Sequence, residues 1–172
     1  MLHLWACYWA FTKFASLMRT IESLLDEYGE SHRNPTNKIV HWICVPIIFF
    51  SVVGLLYSIK LGGLMLTPTL PLNVAMVALL LLLVYYIRLS PTLAAGMAFF
   101  ALLCLFLCQQ IENSGATLWK VSIALFVLAW IGQFWGHKVE GKKPSFLKDL
   151  QFLLIGPAWL MHFIYQRAGI AI

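Results

Sequence analysis

Apolar runs separated by short polar or proline- and glycine-bearing breaks fill most of the chain. Residues 39–59, 72–87, 93–111 and 118–134 form four such runs, and residues 150–166 form a fifth that Gly156-Pro157 interrupts. The first run has 21 residues. As a helix it reaches about 31 Å, which matches a hydrocarbon core of ~30 Å. The fifth is expected either to span or to re-enter. Lys60 to Gly63 with Pro68 and Pro71 reads as a loop, and Arg88 to Pro91 and Glu112 to Gly115 read as tight turns. Pro46 lies inside the first run, where it is expected to kink the helix. Upstream, Leu17, Ile21, Leu24, Leu25 and Tyr28 share one stripe at helical spacing, with Glu22, Asp26, Glu27 and Glu30 off it. Residues 17–31 therefore read as an amphipathic helix. Asn34-Pro35 ends it and suits the next helix start, with Asn34 as cap and Pro35 in the first turn. The pattern predicts an all-α, polytopic membrane helical bundle of four to five spans with an N-terminal amphipathic helix.

Composition agrees. The chain is 61% hydrophobic and 11% charged, against ~45–50% and ~25% in soluble domains. A water-soluble fold of 172 residues has too little interior to hide that much apolar surface. The formal charge of +5 does not mark a nucleic-acid binder, because the cations cluster between apolar runs instead of forming a basic face. With the segment before the first run on one side and four crossings after it, Lys13, Arg19, Arg33, Lys38, Arg88, Lys138, Lys142, Lys143 and Lys148 share that side. The other side holds at most Lys60, Lys120 and Arg167. Lysine and arginine accumulate on the cytoplasmic side. The cation-rich face is thus expected to be cytoplasmic, in a bacterial inner membrane or the endoplasmic reticulum.

Residues 1–17 are apolar but lack the basic region and cleavage site of a signal peptide. Met18 opens a cleaner reading, so the expectation is an extension upstream of one membrane domain at 18–172. Cys7, Cys44, Cys104 and Cys108 sit in or beside apolar runs with no CxxC pair, and are expected to pack as small hydrophobes.

The remaining polar residues concentrate in two segments. His32 and His41 flank Asn34-Pro35, and His137 and Glu140, three apart, share a face if the helix continues past the fourth run. Both segments fall on the cation-rich side although more than ninety residues separate them. Imidazole and carboxylate are ligands for Fe(II), Zn(II) or Mn(II). Asn34, Asn37 and Gln133 suit orienting those imidazoles, and Lys38 or Arg33 suits a substrate carboxylate. A lone interfacial histidine is usually an anchor, but ionisable groups at membrane depth point to function. His162, inside the fifth run, is a further metal candidate. Gly132-x3-Gly136 has the spacing of a helix-packing motif. Trp42, Trp119, Trp135 and Trp159, near span ends, are expected in the interfacial belt.

Tyr28-x3-His32-x-Asn34-Pro35-x-Asn37-Lys38-x2-His41-x4-Pro46, followed by Gln133-Phe-Trp-Gly-His137-x2-Glu140-x3-Pro144, resembles the Mpo1-like, or DUF962, family. The resemblance runs from about Leu17 to the C-terminus. It implies a membrane Fe(II)-dependent dioxygenase that shortens 2-hydroxy fatty acids by one carbon, as in fatty-acid α-oxidation, with O2 as co-substrate. It implies His32, His41 and His137 as iron ligands and Glu140 as a fourth ligand or an orienting group. The chain departs from the family at Cys44, where glycine often precedes Val-Pro, and at His162, near which many members carry an acidic residue.

That chemistry suits the residues. A 2-hydroxy acid chelates iron through its hydroxyl and carboxylate, and it supplies electrons for O2, so 2-oxoglutarate is not required. Its acyl tail can lie among the spans, against walls such as Phe49, Phe50 or Phe134. The sequence carries no Gly-rich nucleotide fingerprint, which fits an enzyme without NAD, FAD or ATP. Two rival classes remain open: another metal-dependent lipid enzyme, such as a hydroxylase or hydrolase, and a non-enzymatic transporter or scaffold. Against transport, the polar cluster lies at one face and not at the midplane.

Overall fold

A computed structural model describes residues 21–29, 32–67, 70–141 and 146–171, without the side chains of 27 and 146–153. The expected extension at 1–17 lies outside the described residues. Among the described residues six helices and a short hairpin follow in order: α1 (Ile21–Gly29), α2 (Pro35–Tyr57), β1 (Lys60–Thr67), β2 (Leu70–Asn73), α3 (Val74–Leu89), α4 (Pro91–Asn113), α5 (Leu118–Glu140) and α6 (Phe146–Arg167). Among the described residues α2, α4 and α5, each 23 residues long, are long and apolar enough to cross a membrane. Helix α3, with 16 residues, is apolar but shorter. The outward side chains of these helices are apolar: Phe99, Leu81 and Leu128 are 71%, 66% and 65% exposed. Asn37, His41, Ser51, Ser122 and Gln133 are buried inside. Polar inside and apolar outside is the arrangement of a protein surrounded by lipid, and it points to a membrane protein.

Helix starts follow the local chemistry. The Asn34 side chain accepts the Thr36 N–H at 2.9 Å and Pro35 opens α2, as the sequence predicts. Asn73 caps α3 through the Met76 N–H, and Ser90, followed by Pro91, caps α4 through the Leu93 N–H. Gly141 ends α5 in the left-handed conformation, with φ 74°, which costs glycine no Cβ clash.

Helices α2 and α5 form the central pair. A Cβ added at Gly136 would press on Asn37 and Val40, one at Gly132 on the Cys44 sulfur, and one at Gly54 on Ser122. The partners thus run in opposite directions along the two helices, so the pair is antiparallel. Gly132 and Gly136 let the backbones approach, which is the packing role that their spacing implied. Cys44, Cys104 and Cys108 are buried as free thiols.

Helix α1 buries Ile21, Leu24, Leu25 and Tyr28 and exposes Glu22 and Asp26. It packs on α6, where Gly29 approaches Trp159 and Gly156 approaches Tyr28. The Tyr86 hydroxyl donates to the Leu154 carbonyl, and Tyr165 donates to the Thr92 carbonyl at 3.0 Å. These two bonds tie α6 to α3 and α4.

The backbone departs from the sequence reading in two places. The loop expected around residues 60–71 is instead an antiparallel hairpin, with Lys60 opposite Asn73 and Met65 opposite Pro71, so the fold is mostly helical and not wholly so. Its irregular register explains why no alternating pattern announced it, and a two-stranded ribbon has only edge strands, which tolerate Pro71. Past residue 134 the helix continues to Glu140, which meets the condition under which His137 and Glu140 share a face. The Gly156-Pro157 pair does not break the fifth run, which stays helical from Phe146 to Arg167.

Candidate metal centre

Three histidines from three parts of the chain meet at one end of the central pair. His32 lies just past α1, where its backbone N–H bonds the Gly29 carbonyl at 3.0 Å. His41 lies in the second turn of α2, and His137 in the last turn of α5. One ring nitrogen of each falls within 4.8 Å of the others. All three are buried, at 2%, 1% and 7% exposure. The ring centroids of His32 and His41 are 4.1 Å apart, and that of His137 lies 5.1 Å from His41 and 5.7 Å from His32.

Backbone carbonyls set the tautomers of two of them. His32 Nδ1 is 2.5 Å from the Tyr28 carbonyl, and His41 Nδ1 is 2.9 Å from the Asn37 carbonyl. A carbonyl only accepts, so each Nδ1 carries the proton and donates it. Each Nε2 is then left with a lone pair, the state in which a neutral imidazole binds a metal. Gln133 is buried one turn before His137 on the same helix.

Glu140 closes the arrangement. Its carboxylate accepts the backbone N–H groups of Arg33 at 3.0 Å and Asn34 at 2.9 Å, and the Asn37 side-chain N–H at 3.0 Å. The end of α5 is thereby fastened to the start of α2. A carboxylate at a helix N-terminus meets the positive end of that helix dipole. It would be disfavoured at the C-terminus of its own α5 without these partners. With most of its acceptor capacity taken by these donors, Glu140 acts here as a clamp. Asn34 contributes through its backbone and cap, Asn37 through its carbonyl to His41 and its amide to Glu140. Lys38 is half-buried and Arg33 exposed beside them.

Aromatic rings wall the cluster. Tyr28 stacks on His32, with centroids 4.1 Å apart and planes 13° from parallel. Trp159 of α6 lies 5.1 Å from Tyr28 and 5.5 Å from His32. Trp159 is 4% exposed, so it is not the interfacial belt residue that the sequence suggested. Trp42, Trp119 and Trp135 are exposed. The Tyr28-x3-His32 spacing held a signal for the stack. Nothing in the sequence marked Trp159, because α1 and α6 meet only in the fold.

His162 is not among the three gathered histidines. It is half-buried on α6, with its ring 6.4 Å from Phe163.

Comparison with known proteins bears on what this arrangement is for. The model of a family described as "2-hydroxy-palmitic acid dioxygenase Mpo1-like" matches residues 18–168. The chain belongs to the Mpo1-like family. Within that family it is 31% identical over 153 residues to the 2-hydroxy-palmitic acid dioxygenase MPO1 of Saccharomyces cerevisiae, covering 87% of this chain and 82% of the yeast protein. No solved structure matches. For an Mpo1-like chain a dioxygenase role is supported at the level of the family, and a buried three-histidine cluster is a donor set suited to a metal.

Proposed function

We propose that this protein is an Fe(II)-dependent membrane dioxygenase that shortens 2-hydroxy fatty acids by one carbon. The observation that carries the proposal is the buried trio His32, His41 and His137, with two Nδ1 protons held by backbone carbonyls. Soft thiolates are absent from the trio, which favours iron, zinc or manganese over Cu(I). Neutral imidazoles leave the positive charge of a bound ion available to an anionic substrate.

Bound Fe(II) would supply the site at which hydroxy acid and O2 meet. The chain does the rest. Its backbone carbonyls keep His32 and His41 in one tautomer and one orientation. Glu140 and Asn37 hold the α2 and α5 ends in register. Tyr28 and Trp159 exclude water from one flank. Lys38, half-buried at the opening turn of α2, meets the substrate carboxylate. The reaction balances without a second reductant: one hydroxy acid and one O2 give the shortened acid, CO2 and water. The C1–C2 bond breaks, and the substrate carbons provide the four electrons that O2 takes up.

In the membrane, the apolar helices form four spans, with α6 as a fifth or as a re-entrant segment, and the histidine end faces the cytoplasm. The cation asymmetry across the chain supports that orientation.

The test is an assay on detergent-solubilised protein loaded with Fe(II) and given 2-hydroxypalmitate under air. A C15 acid formed with O2 uptake, and lost in His32→Ala and His137→Ala, is the expected result. Absence of a shortened product at every chain length, with no iron retained, would overturn the reading in favour of a transporter or scaffold.

A further inference from the structure

The histidine cluster accounts for the head of a 2-hydroxy acid and leaves its tail unassigned. Helix α2 extends the same face beyond the cluster. At 100° per residue, Val45, Phe49, Val52, Val53 and Leu56 fall within about a third of a turn of His41's direction. Val45, Phe49 and Val53 are buried. From Phe49 onward this face borders a cavity of about 410 Å³ between α2, α3 and α6, lined by Val52, Leu56, Ala78, Leu79 and Leu82 among others. A second cavity of about 240 Å³ lies between α2, α3 and α4 and shares Phe49, Leu79 and Leu82 with the first. Those three side chains are therefore the partition between them. The larger one falls within the ~300–1,000 Å³ typical of small-molecule sites. No charged side chain lines either cavity, and the Tyr86 hydroxyl at the smaller one already donates to Leu154.

Distance along α2 identifies the occupant. Phe49 is eight residues past His41, Val52 eleven and Leu56 fifteen, or about 12, 16 and 22 Å up the helix. An extended chain of carbon–carbon bonds of ~1.5 Å advances about 1.25 Å per bond. The tail of a 16-carbon acid, measured from C2, therefore covers about 18 Å. With its head at the histidines, its end falls between Val52 and Leu56, inside the larger cavity. A ten-carbon acid stops at about 10 Å, short of Phe49.

We infer that the cavity between α2, α3 and α6 binds the distal half of a long saturated acyl chain and sets the chain length that the enzyme accepts. The inference rests on the function proposed above and adds to it where the tail goes and what measures it.

Two experiments on the full-length protein test it. The first compares kcat/KM for 2-hydroxy acids of 8 to 20 carbons in the wild type and in Ala78→Phe, a half-exposed position where a ring would fill the cavity. The expected result is at least a tenfold fall in the ratio of 2-hydroxypalmitate to 2-hydroxydecanoate turnover. An unchanged ratio in a folded variant would overturn the inference while leaving the dioxygenase reading in place. The second needs no turnover. A 2-hydroxy fatty acid with a diazirine at its far end is photolysed with the wild-type protein, and the labelled peptides are mapped. Label on the cavity-lining part of α2, from Val52 to Leu56, or on the facing Val74–Leu89 helix, competed by unlabelled 2-hydroxypalmitate, is expected. Label elsewhere, or equal labelling by a diazirine alkane with no acid head, would show a general lipid groove only and would sink the tail site. A wild type that labels as expected but forms no product would retain the site and reject the reaction.

Discussion

The Glu140 carboxylate accepts the backbone N–H of Asn34 at 2.9 Å, across 106 positions of sequence. Asn34 starts the helix that carries His41, and Glu140 ends the helix that carries His137. One carboxylate thus fixes how two histidine-bearing helices meet. Removing it leaves three N–H donors to find water and frees the two ends to slide.

Replacing Glu140 with alanine should therefore weaken metal binding by about 10- to 100-fold, the usual cost of losing a group that orients ligands. Glu140→Gln, which keeps an acceptor oxygen but loses the charge, should lie between alanine and wild type. Titration of metal into the purified variants, with helicity followed by circular dichroism, reads both. Equal affinity for all three proteins would remove the clamp from the account.

His41→Ala and His162→Ala should behave differently. The first removes a buried member of the trio and should abolish stoichiometric metal binding. The second lies outside the gathered group and should leave metal content unchanged. Elemental analysis of protein purified under anaerobic Fe(II) loading is the measurement. A matching loss in His162→Ala would bring the fifth apolar run into the ligand set.

The close approach of α2 and α5 predicts coupled packing mutants. Gly132→Ala places a methyl against the Cys44 sulfur, and overpacking of this kind costs about 1–3 kcal/mol. Cys44→Ala makes room for it. The double variant should recover part of the loss, with a coupling of roughly 0.5–3 kcal/mol as for other residues in contact. Thermal unfolding in one detergent for the four proteins measures this. Strict additivity would mean that the helices part to absorb the methyl.

Trp159→Ala should open one flank of the cluster. The expected outcome is folded protein with lower stability, by about 3–5 kcal/mol for a buried tryptophan, and with greater solvent access to His32. Carbethoxylation of histidine by diethyl pyrocarbonate, mapped by mass spectrometry, should then be faster at His32 than in the wild type. No change at His32 would place the shielding on Tyr28 alone.

The lipid-facing helices and the two histidine segments were legible because each rests on local signals. The apolar runs exceed what a soluble interior could hold, Asn34-Pro35 is a helix start in any context, and Gly132-x3-Gly136 marks a packing face. His32, His41 and His137 were legible as candidates because imidazole is uncommon at such depth. The residues that complete the site were harder to see. Trp159 reaches His32 only because α1 folds back on α6, and tryptophan near a span end usually means an interface. The clamp at Glu140 depends on α5 continuing past its apolar stretch, which burial and the Gly141 cap decide and hydropathy does not. The hairpin at residues 60–73 was hidden because its glycines and prolines read as breakers. Its pairing is set by the two helix ends it joins, as in the bond from the Val74 N–H to the Ile59 carbonyl at 3.0 Å.

The site draws on both ends of a long stretch of chain, and this has a consequence for synthesis. His41 and His137 are 96 positions apart, so at ~5–20 residues per second the ribosome needs about 5–20 s between them. Throughout that interval α2 has Asn37 and His41 but not the helix that covers them. Such a polar face is poorly matched to lipid, so the young α2 is a natural client for whatever shields nascent spans. On the function proposed above, metal loading would wait until α5 arrives, and iron capture would report on the completion of nearly the whole chain.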